Sequence, residues 1–318
     1  MVDDLNGTNL DELVTDNSVP GEKMVQASWR YWRVRIWLIT VLTIVGVLVL
    51  QAIRPDLPLL SSLHIEFPAG RLLLLFVAAM ACEFVDSSLG MGYGTTLTPL
   101  LVLAGLAPLH IVPAVLFSEC LTGITAGLLH HRDGNVDFLR DRQARSITLW
   151  LLVLTVLGVV AAVSLAGRIP KVWFGAVVAI IVLTVGVIIL MTARQPLRLR
   201  KAHLLVLGAV AAFNKGMTGG GYGPLITSGQ VVCGLSARQA VGITSLAEGL
   251  TCLVGVMAYL WAGHSLDWSL AGPLTVGALL SVPLATLTVR QAPETFMRFG
   301  VGVVTCILGA LALVKLLT

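Results

Sequence analysis

The sequence predicts an all-α polytopic membrane protein, and three observations lead to this fold class. Of the 318 residues, 56% are apolar and only 12% are charged, about half the charged share of soluble domains. The mean hydropathy is +0.90. Apolar runs of roughly 16 to 21 residues recur from Ile36 to the C-terminus, which is the length that a helix needs to cross a bilayer. The low charged content and the high hydropathy exclude a water-soluble globule. Because the runs show no short alternating pattern and aromatic residues make up only 6% of the chain, an outer-membrane barrel is excluded as well.

The first 35 residues differ in composition from the rest of the chain. Residues 1–22 contain six acidic residues and no basic residue, which is unlike a secretory signal or a transit peptide. Arginines alternate with aromatic residues over 29–35, as in an interfacial belt on the positive side of a membrane. We predict a cytoplasmic acidic tail and interfacial belt over 1–35, with the N-terminus inside. A first transmembrane helix and an outer loop follow over 36–70.

The rest of the chain is predicted to consist of two repeats, because an offset of 129 residues superposes its two halves without a gap. The offset places Gly90, Gly92, Tyr93, Gly94, Gly105, Leu106, Glu119 and Thr122 on Gly219, Gly221, Tyr222, Gly223, Gly234, Leu235, Glu248 and Thr251. Glycine identities are common in a chain with 32 glycines, so the tyrosine and glutamate matches carry the argument. Repeat 1 is predicted over 71–193 and repeat 2 over 194–318.

Each repeat is predicted to be a glycine-interrupted helical hairpin plus three transmembrane helices. The two arms of each hairpin are short and flank a polar, glycine-rich stretch. These stretches are 83–94 in repeat 1 and 214–223 in repeat 2. The transmembrane helices are predicted over 111–129, 147–166 and 172–191 in repeat 1, and over 241–261, 270–289 and 299–317 in repeat 2.

Loop charges predict how the repeats are oriented. If each hairpin returns to the side from which it entered, the four basic stretches 132–145, 194–201, 238 and 290–298 lie on the same side as 30–35. Fifteen Lys and Arg residues are then inside and five are outside, which is a clear positive-inside bias. Three transmembrane helices separate the hairpins, and this odd number gives the repeats inverted topology. Inverted repeats with interrupted helices are typical of secondary transporters, whose substrates bind near the midplane where the broken helices meet.

Only five of the 38 Lys, Arg, Asp and Glu residues fall deep inside apolar segments. They are Glu83, Asp86, Glu119, Lys215 and Glu248. A charge at the bilayer centre costs at least roughly 2.5–3.5 kcal/mol, so charges retained there indicate function. The offset aligns Asp86 with Lys215, which predicts that opposite charges meet. The alternative is that the charges form ion pairs for purely structural reasons.

The glycine stretches 90–94 and 219–223 predict unwound crossings. Each glycine costs a helix roughly 0.8–1 kcal/mol relative to alanine, and irregular backbone at membrane depth is tolerated only where it lines a cavity or is buried in protein. A short helix is predicted after each crossing, with Pro224 at the first helical position of the second. Two helix N-termini, which favour anions, would then point toward the centre. The alternative is that these glycines only allow close helix packing.

The two G-x-G-x-G stretches, each followed by an apolar helix and the first by Thr98-Pro99-Leu100, resemble the TauE/SafE family of bacterial membrane exporters. The resemblance covers roughly residues 71–317. It implies a multi-pass protein of the bacterial cytoplasmic membrane that exports a small sulfur-containing anion such as sulfite or an organosulfonate. The helix ends directed at an anion agree with that substrate class independently.

We expect an oxyanion to bind where the two crossings meet. Its expected ligands are Lys215, the hydroxyls of Tyr93, Tyr222 and Thr218, and the backbone around Gly92, Gly94, Gly221 and Gly223. Four acids around one lysine make a poor anion cage, so at least one acid is expected to be protonated during part of the cycle. Glu119 and Glu248 are the candidates for proton coupling, and Asp86 and Glu83 support them.

The alternative function is a proton-coupled or sodium-coupled cation transporter that uses Glu119 and Glu248 as ligands. An intramembrane enzyme is disfavoured because the sequence has no HExxH motif and no metal-ligand spacing among its histidines. The five cysteines occur singly in apolar segments and are interpreted as small packing residues. We therefore expect no catalysis, metal, cofactor or nucleic acid. The expected partners are the anion and the bilayer. The sequence leaves open whether the protein forms a homodimer.

Overall fold

The computed structural model describes residues 68–106, 108–165, 201–218, 220–263 and 265–317, together with single helical positions within 39–46 and 180–191. The predicted acidic tail and belt lie outside the described residues, as do most of the first transmembrane helix and most of the helix predicted over 172–191. The chain divides into two compact units, Met1–Thr43 and Ile44–Thr318. All that follows concerns the second unit.

The described part of the second unit is helical and contains no strand. Its helices are α1 Ala69–Leu89, α2 Tyr93–Leu103, α3 Pro108–Arg132, α4 Arg142–Leu165, α5 Lys201–Thr218, α6 Tyr222–Val232, α7 Ala237–Trp261, α8 Trp268–Gln291 and α9 Glu294–Leu317. Five described segments are long and apolar enough to cross a membrane, namely Gly70–Leu89, His110–Arg132, Arg142–Val159, Ala237–Trp261 and Trp268–Gln291. The predicted all-α membrane class is confirmed.

The first hairpin differs from its prediction in one respect. Its first arm is not short, because α1 runs for 21 residues, through the polar stretch, to Leu89. Glu83, Asp86 and Ser87 find partners inside the protein, as Ser87 Oγ donates to Glu83 Oε1 at 2.6 Å. The unwound backbone is therefore confined to residues 90–92.

The second hairpin is also unwound over fewer residues than predicted. Helix α5 extends to Thr218 and α6 begins at Tyr222, so Gly223 is helical. Pro224 occupies the third helical position instead of the first. A proline in the first turn removes no hydrogen bond within the helix, because the first four N–H groups have no intrahelical partner.

Helix bounds recur along the chain with the 129-residue offset. The bounds of α2 shifted by this number are those of α6, and the bounds of α3 shifted likewise are those of α7. Helices α3 and α7 pack closely along their length, and a Cβ on Gly123 would lie 2.7 Å from Gly249 Cα. On one side of that contact Gly127 meets Leu246, and on the other Leu116 meets Gly255. Because the numbers rise on α3 as they fall on α7, the two helices run antiparallel.

Two buried apolar cores are each built from four helices, which occupy corresponding places in the two halves of the chain. The first contains side chains of α1, α2, α3 and α8, among them Tyr93 and Leu97. The second contains side chains of α5, α6, α7 and α4, among them Tyr222 and Ile226. Each core thus joins one interrupted hairpin and the helix after it with α8 or α4 from the other half of the chain.

Several polar contacts join distant segments at one end of the unit, which we call the basic end. It comprises residues 133–145, the start of α7 and the junction of α8 with α9. Arg238 donates to Ala292 O at 2.6 Å, and Gln239 Nε2 donates to Asp141 Oδ2 at 3.2 Å. The structure therefore brings together three of the four stretches of basic residues that the loop charges placed on one side.

Candidate functional site

The two helix breaks pack directly against each other. A Cβ on Gly223 would lie 2.5 Å from Gly90 O and 2.8 Å from Met91 Cα, and a Cβ on Gly220 would lie 3.3 Å from Gly94 O. Thr227, one turn into α6, donates its hydroxyl to Gly90 O at 2.7 Å. The crossing is thus a contact between two backbones. Position 223 must be glycine, because any side chain there would clash with the backbone of residues 90 and 91.

The breaks are formed by glycines in the left-handed region. Gly90 has φ 73° and Gly92 has φ 133° in the first break, and Gly221 has φ 76° in the second. Gly90 ends α1 by donating its N–H to Asp86 O at 2.6 Å. Since side chains disfavour these backbone angles, the glycine pattern fixes where each helix stops and where the next one starts.

Lys215 is the centre of a buried ion cluster. It lies in the last turn of α5 and is only 2% exposed. Its Nζ donates to Glu119 Oε2 of α3 at 2.6 Å and to Glu248 Oε1 of α7 at 2.9 Å. The two glutamates are related by the 129-residue offset, so equivalent positions of the two halves bind the same ammonium group.

Glu119 also reaches the start of α2. Its Oε1 accepts the N–H of Gly94 at 3.0 Å, while the thiol of Cys252 lies 3.4 Å from Oε2. Asp86 Oδ1 accepts the neighbouring N–H of Tyr93 at 3.2 Å. The N-terminus of α2, where the sequence predicts an anion, is thus occupied by two carboxylates of the protein itself.

Glu248 is bound less completely than Glu119. One carboxylate oxygen meets Lys215, but Oε2 is buried without a hydrogen-bond partner. A buried carboxylate oxygen without a donor is costly. The two equivalent glutamates therefore differ in their surroundings, and of the two only Glu119 has donors at both carboxylate oxygens.

Glu83 lies beside this cluster and is held by two hydroxyls. Ser87 donates to Oε1 at 2.6 Å, and Thr122 donates to Oε2 at 3.0 Å. The four acids Glu83, Asp86, Glu119 and Glu248 are close enough to interact electrostatically. The five charges that the sequence placed deep in apolar segments are therefore brought together.

The two tyrosines of the glycine stretches are fully buried. The hydroxyl of Tyr93 forms a hydrogen bond with Ser118 Oγ at 2.8 Å. The hydroxyl of Tyr222 approaches the paired hydroxyls of Thr155 and Thr251 without forming a hydrogen bond of regular geometry. The side chain of Thr218, another predicted ligand, lies outside the described residues.

A small cavity adjoins Lys215. Its volume is about 10 Å³, and its walls are formed by Leu116, Val159, Lys215, Thr251, Gly255, Ala258 and Tyr259. This is the space of about one water molecule, less than a sulfur oxyanion occupies. The conformation is therefore closed around Lys215. Among the described residues, no group of three His, Cys, Asp or Glu side chains is arranged to hold a metal ion.

Cys252 is the site residue that sequence reasoning missed. It packs among apolar side chains of α3 and α7, as predicted for the cysteines, but its thiol also faces Glu119. The signal was present, because Cys252 follows Glu248 by four positions, and residues four apart share one face of a helix. Thr122, three positions after Glu119 on α3, could have been found in the same way, whereas Ser118 is adjacent to Glu119 and spacing gives no signal for it.

A known protein similar to this chain is described as a probable membrane transporter. The probable membrane transporter protein YtnM of Bacillus subtilis (strain 168) is 27% identical over 251 residues, which are 73% of this chain and 79% of that protein. No solved structure matches the chain. The family model described as sulfite exporter TauE/SafE matches residues 74–312. Because this match spans well over half of a chain that also has several helices able to cross a membrane, the protein belongs to the TauE/SafE family of membrane transporters.

Proposed function

We propose that the protein exports a small sulfur-containing oxyanion, sulfite or an organosulfonate, across the cytoplasmic membrane. The observation that carries the proposal is the buried Lys215 ammonium beside the N–H groups that begin α2. A buried cation next to helix N–H groups that have no intrahelical partner is the chemistry that stabilises an oxyanion in a medium without water. Glu119 fills this place in the closed conformation.

The proposed architecture is a pair of inverted repeats over 71–193 and 194–318. The opposite directions of the equivalent helices α3 and α7 support the inversion. The exchange of α4 and α8 between the two cores supports it as well. We place the basic end in the cytoplasm, together with the N-terminus, because basic loops remain on that side.

The proposed substrate ligands are those expected from the sequence. Lys215 supplies the charge, the helix starts around Gly92, Gly94, Gly221 and Gly223 supply N–H groups, and Tyr93, Tyr222 and Thr218 supply hydroxyls. The proposed coupling residues are Glu119 and Glu248, with Asp86 and Glu83. Four acids cannot all stay ionised around one buried lysine, so proton uptake by an acid accompanies part of the cycle.

The geometry favours an anion over a cation as substrate. A cation carrier needs several free carboxylate oxygens. Lys215 already binds one oxygen of Glu119 and one of Glu248, the Gly94 N–H binds the second oxygen of Glu119, and of these two glutamates only Glu248 has an oxygen without a donor. A metal cation placed among these groups would lie next to the ammonium and be repelled by it. An anion meets the ammonium favourably as soon as a carboxylate withdraws.

The test compares radiolabelled sulfite and sodium flux in proteoliposomes, followed by equilibrium sulfite binding. Sulfite flux is expected. Lys215→Met is expected to weaken sulfite binding at least roughly tenfold, a change of about 1.4 kcal/mol. Lys201→Met, at the start of the same helix, is the matched control and should bind normally.

Lys215→Met leaves two buried acids without a cation, so its fold needs a separate control. The triple variant Lys215→Met/Glu119→Gln/Glu248→Gln removes all three charges and retains the shapes of the side chains. It should fold and still fail to bind sulfite. Intact sulfite binding in Lys215→Met together with lost binding in Glu119→Gln and in Glu248→Gln would overturn the anion site, and sodium flux without sulfite flux would favour the cation carrier.

A further inference from the structure

The Glu119 carboxylate is bound in the way a protein binds an oxyanion. Its two oxygens receive Lys215 Nζ at 2.6 Å and the N–H of Gly94 at 3.0 Å, and the Cys252 thiol lies 3.4 Å from the first oxygen. These three groups come from α5, α2 and α7. The residue is 2% exposed, so these contacts are shielded from bulk water.

We propose that the Glu119 carboxylate is a built-in substitute for the substrate anion. It occupies the oxyanion position between Lys215 and the start of α2 while the carrier is empty, and it withdraws when substrate binds. This assignment rests on the anion transport proposed above and adds to it the place where the anion binds. The Glu119 carboxylate places one oxygen on an ammonium and the other on an N–H group. Two of the three oxygens of a sulfite or a sulfonate group can make the same two contacts.

The substitute also explains how an empty carrier closes. A closed site without an anion would bury the Lys215 ammonium alone, and a buried charge deprived of its partner is strongly destabilising. With Glu119 and Glu248 in place, the ammonium is compensated, and the cavity beside it has a volume of only about 10 Å³. The binding site of the empty carrier can then turn back to face the cytoplasm. Net export therefore needs no exchange for a second anion.

Glu248 differs from Glu119 in this role. Its Oε1 contacts Lys215, but its Oε2 is buried without a partner. Glu248 therefore compensates the charge of Lys215 but does not bind the Gly94 N–H of α2, which an incoming anion needs. The displaced group is thus Glu119, while both glutamates contribute to the return of the empty carrier.

The first test separates position from charge. Glu119→Asp retains the negative charge but withdraws the carboxylate by one methylene, which vacates the position between Lys215 and Gly94. Sulfite should then bind roughly tenfold more tightly than to the wild-type chain, and Glu248→Asp should tighten binding less. Asp137→Asn, on an exposed loop, controls for the loss of an acid elsewhere and should bind as the wild type does.

The second test concerns the empty carrier. Glu119→Gln/Glu248→Gln leaves Lys215 without a charged partner unless substrate is bound. In proteoliposomes this variant should lose net sulfite efflux at least roughly tenfold while it retains exchange of internal for external sulfite. Loss of exchange as well, or retention of net efflux, overturns the inference.

The two proposals fail in distinguishable ways. A wild-type protein that neither binds nor transports sulfite overturns the proposed function. A wild-type protein that transports sulfite, with Glu119→Asp no tighter than Glu248→Asp, leaves the function standing and overturns the substitute role of Glu119.

Discussion

At the scale of single residues, the chemistry is concentrated in side chains that are far apart in the sequence. Lys215 is 96 positions from Glu119 and 33 from Glu248, and each of the three lies on a different helix. The sequence identifies these residues, because a charge within an apolar segment is conspicuous. It does not show that both glutamates bind the same lysine, since that depends on how three helices pack.

Gly223 is the residue on which the crossing of the two breaks depends most directly. Gly223→Ala puts a methyl group 2.5 Å from Gly90 O and 2.8 Å from Met91 Cα. Both are backbone atoms that cannot rotate away, so the substitution should destabilise the protein by roughly 1–3 kcal/mol. Sulfite flux should be lost because the breaks can no longer touch.

The measurement is thermal unfolding in detergent together with flux in proteoliposomes. Gly272→Ala is the matched control, because a Cβ at this helical glycine meets nothing within 4 Å. It should unfold at the wild-type temperature or slightly above it. Equal behaviour of the two variants would mean that the breaks do not touch in the functioning protein.

At the scale of helices, the glycine stretches predict the positions of the breaks well, because the preference of glycine for positive φ is a local property. The lengths of the arms are predicted less well. Polar residues at 83–88 indicate an interruption, yet α1 continues through them to Leu89. Glu83 is satisfied there by Thr122 of α3, a tertiary contact that no local pattern reveals.

One side-chain hydroxyl forms a hydrogen bond between the two hairpins. Thr227 Oγ1 of α6 donates to Gly90 O at 2.7 Å and lies 2.9 Å from Thr244 Oγ1 of α7. Thr227→Val retains the shape and leaves the buried carbonyl of Gly90 without this donor. The expected loss of stability is about 1–3 kcal/mol.

Thermal unfolding measures this loss. Thr125→Val is the matched control, because the Thr125 hydroxyl donates to Leu121 O within its own helix and faces outward. Its unfolding temperature should change little. Equal shifts in both variants would assign no special role to the contact between the hairpins.

At the scale of the whole molecule, the two halves of the chain depend on each other. Helix α8 packs in the core of the first hairpin, and α4 packs in the core of the second. Neither half would bury its own apolar surface alone. The 129-residue offset predicts that equivalent segments exist, but the exchange of α4 and α8 between the cores is a tertiary arrangement that requires the structure.

The inverted arrangement has a direct test in two equivalent loop glycines. Gly134 follows α3, Gly263 follows α7, and the two numbers differ by the repeat offset. Both have positive φ, 77° and 82°, and a Cβ on either meets nothing within 4 Å. A cysteine at each position is therefore accommodated, at a cost of roughly 1–2 kcal/mol for the backbone angle. In parallel repeats these loops would lie on one face of the membrane, whereas in inverted repeats they lie on opposite faces.

Gly134 belongs to the basic end, so Gly134→Cys should react with a membrane-impermeant maleimide only in inside-out vesicles. Gly263→Cys should react only in right-side-out vesicles or intact cells. The unmodified chain measures the background from its five native cysteines, of which Cys120 and Cys252 are buried. Labelling of both variants from one face would contradict the inverted repeats, and labelling from opposite faces with the sides reversed would place the basic end outside. The predicted pattern instead follows from two features together, the antiparallel packing of α3 against α7 and the retention of basic loops in the cytoplasm.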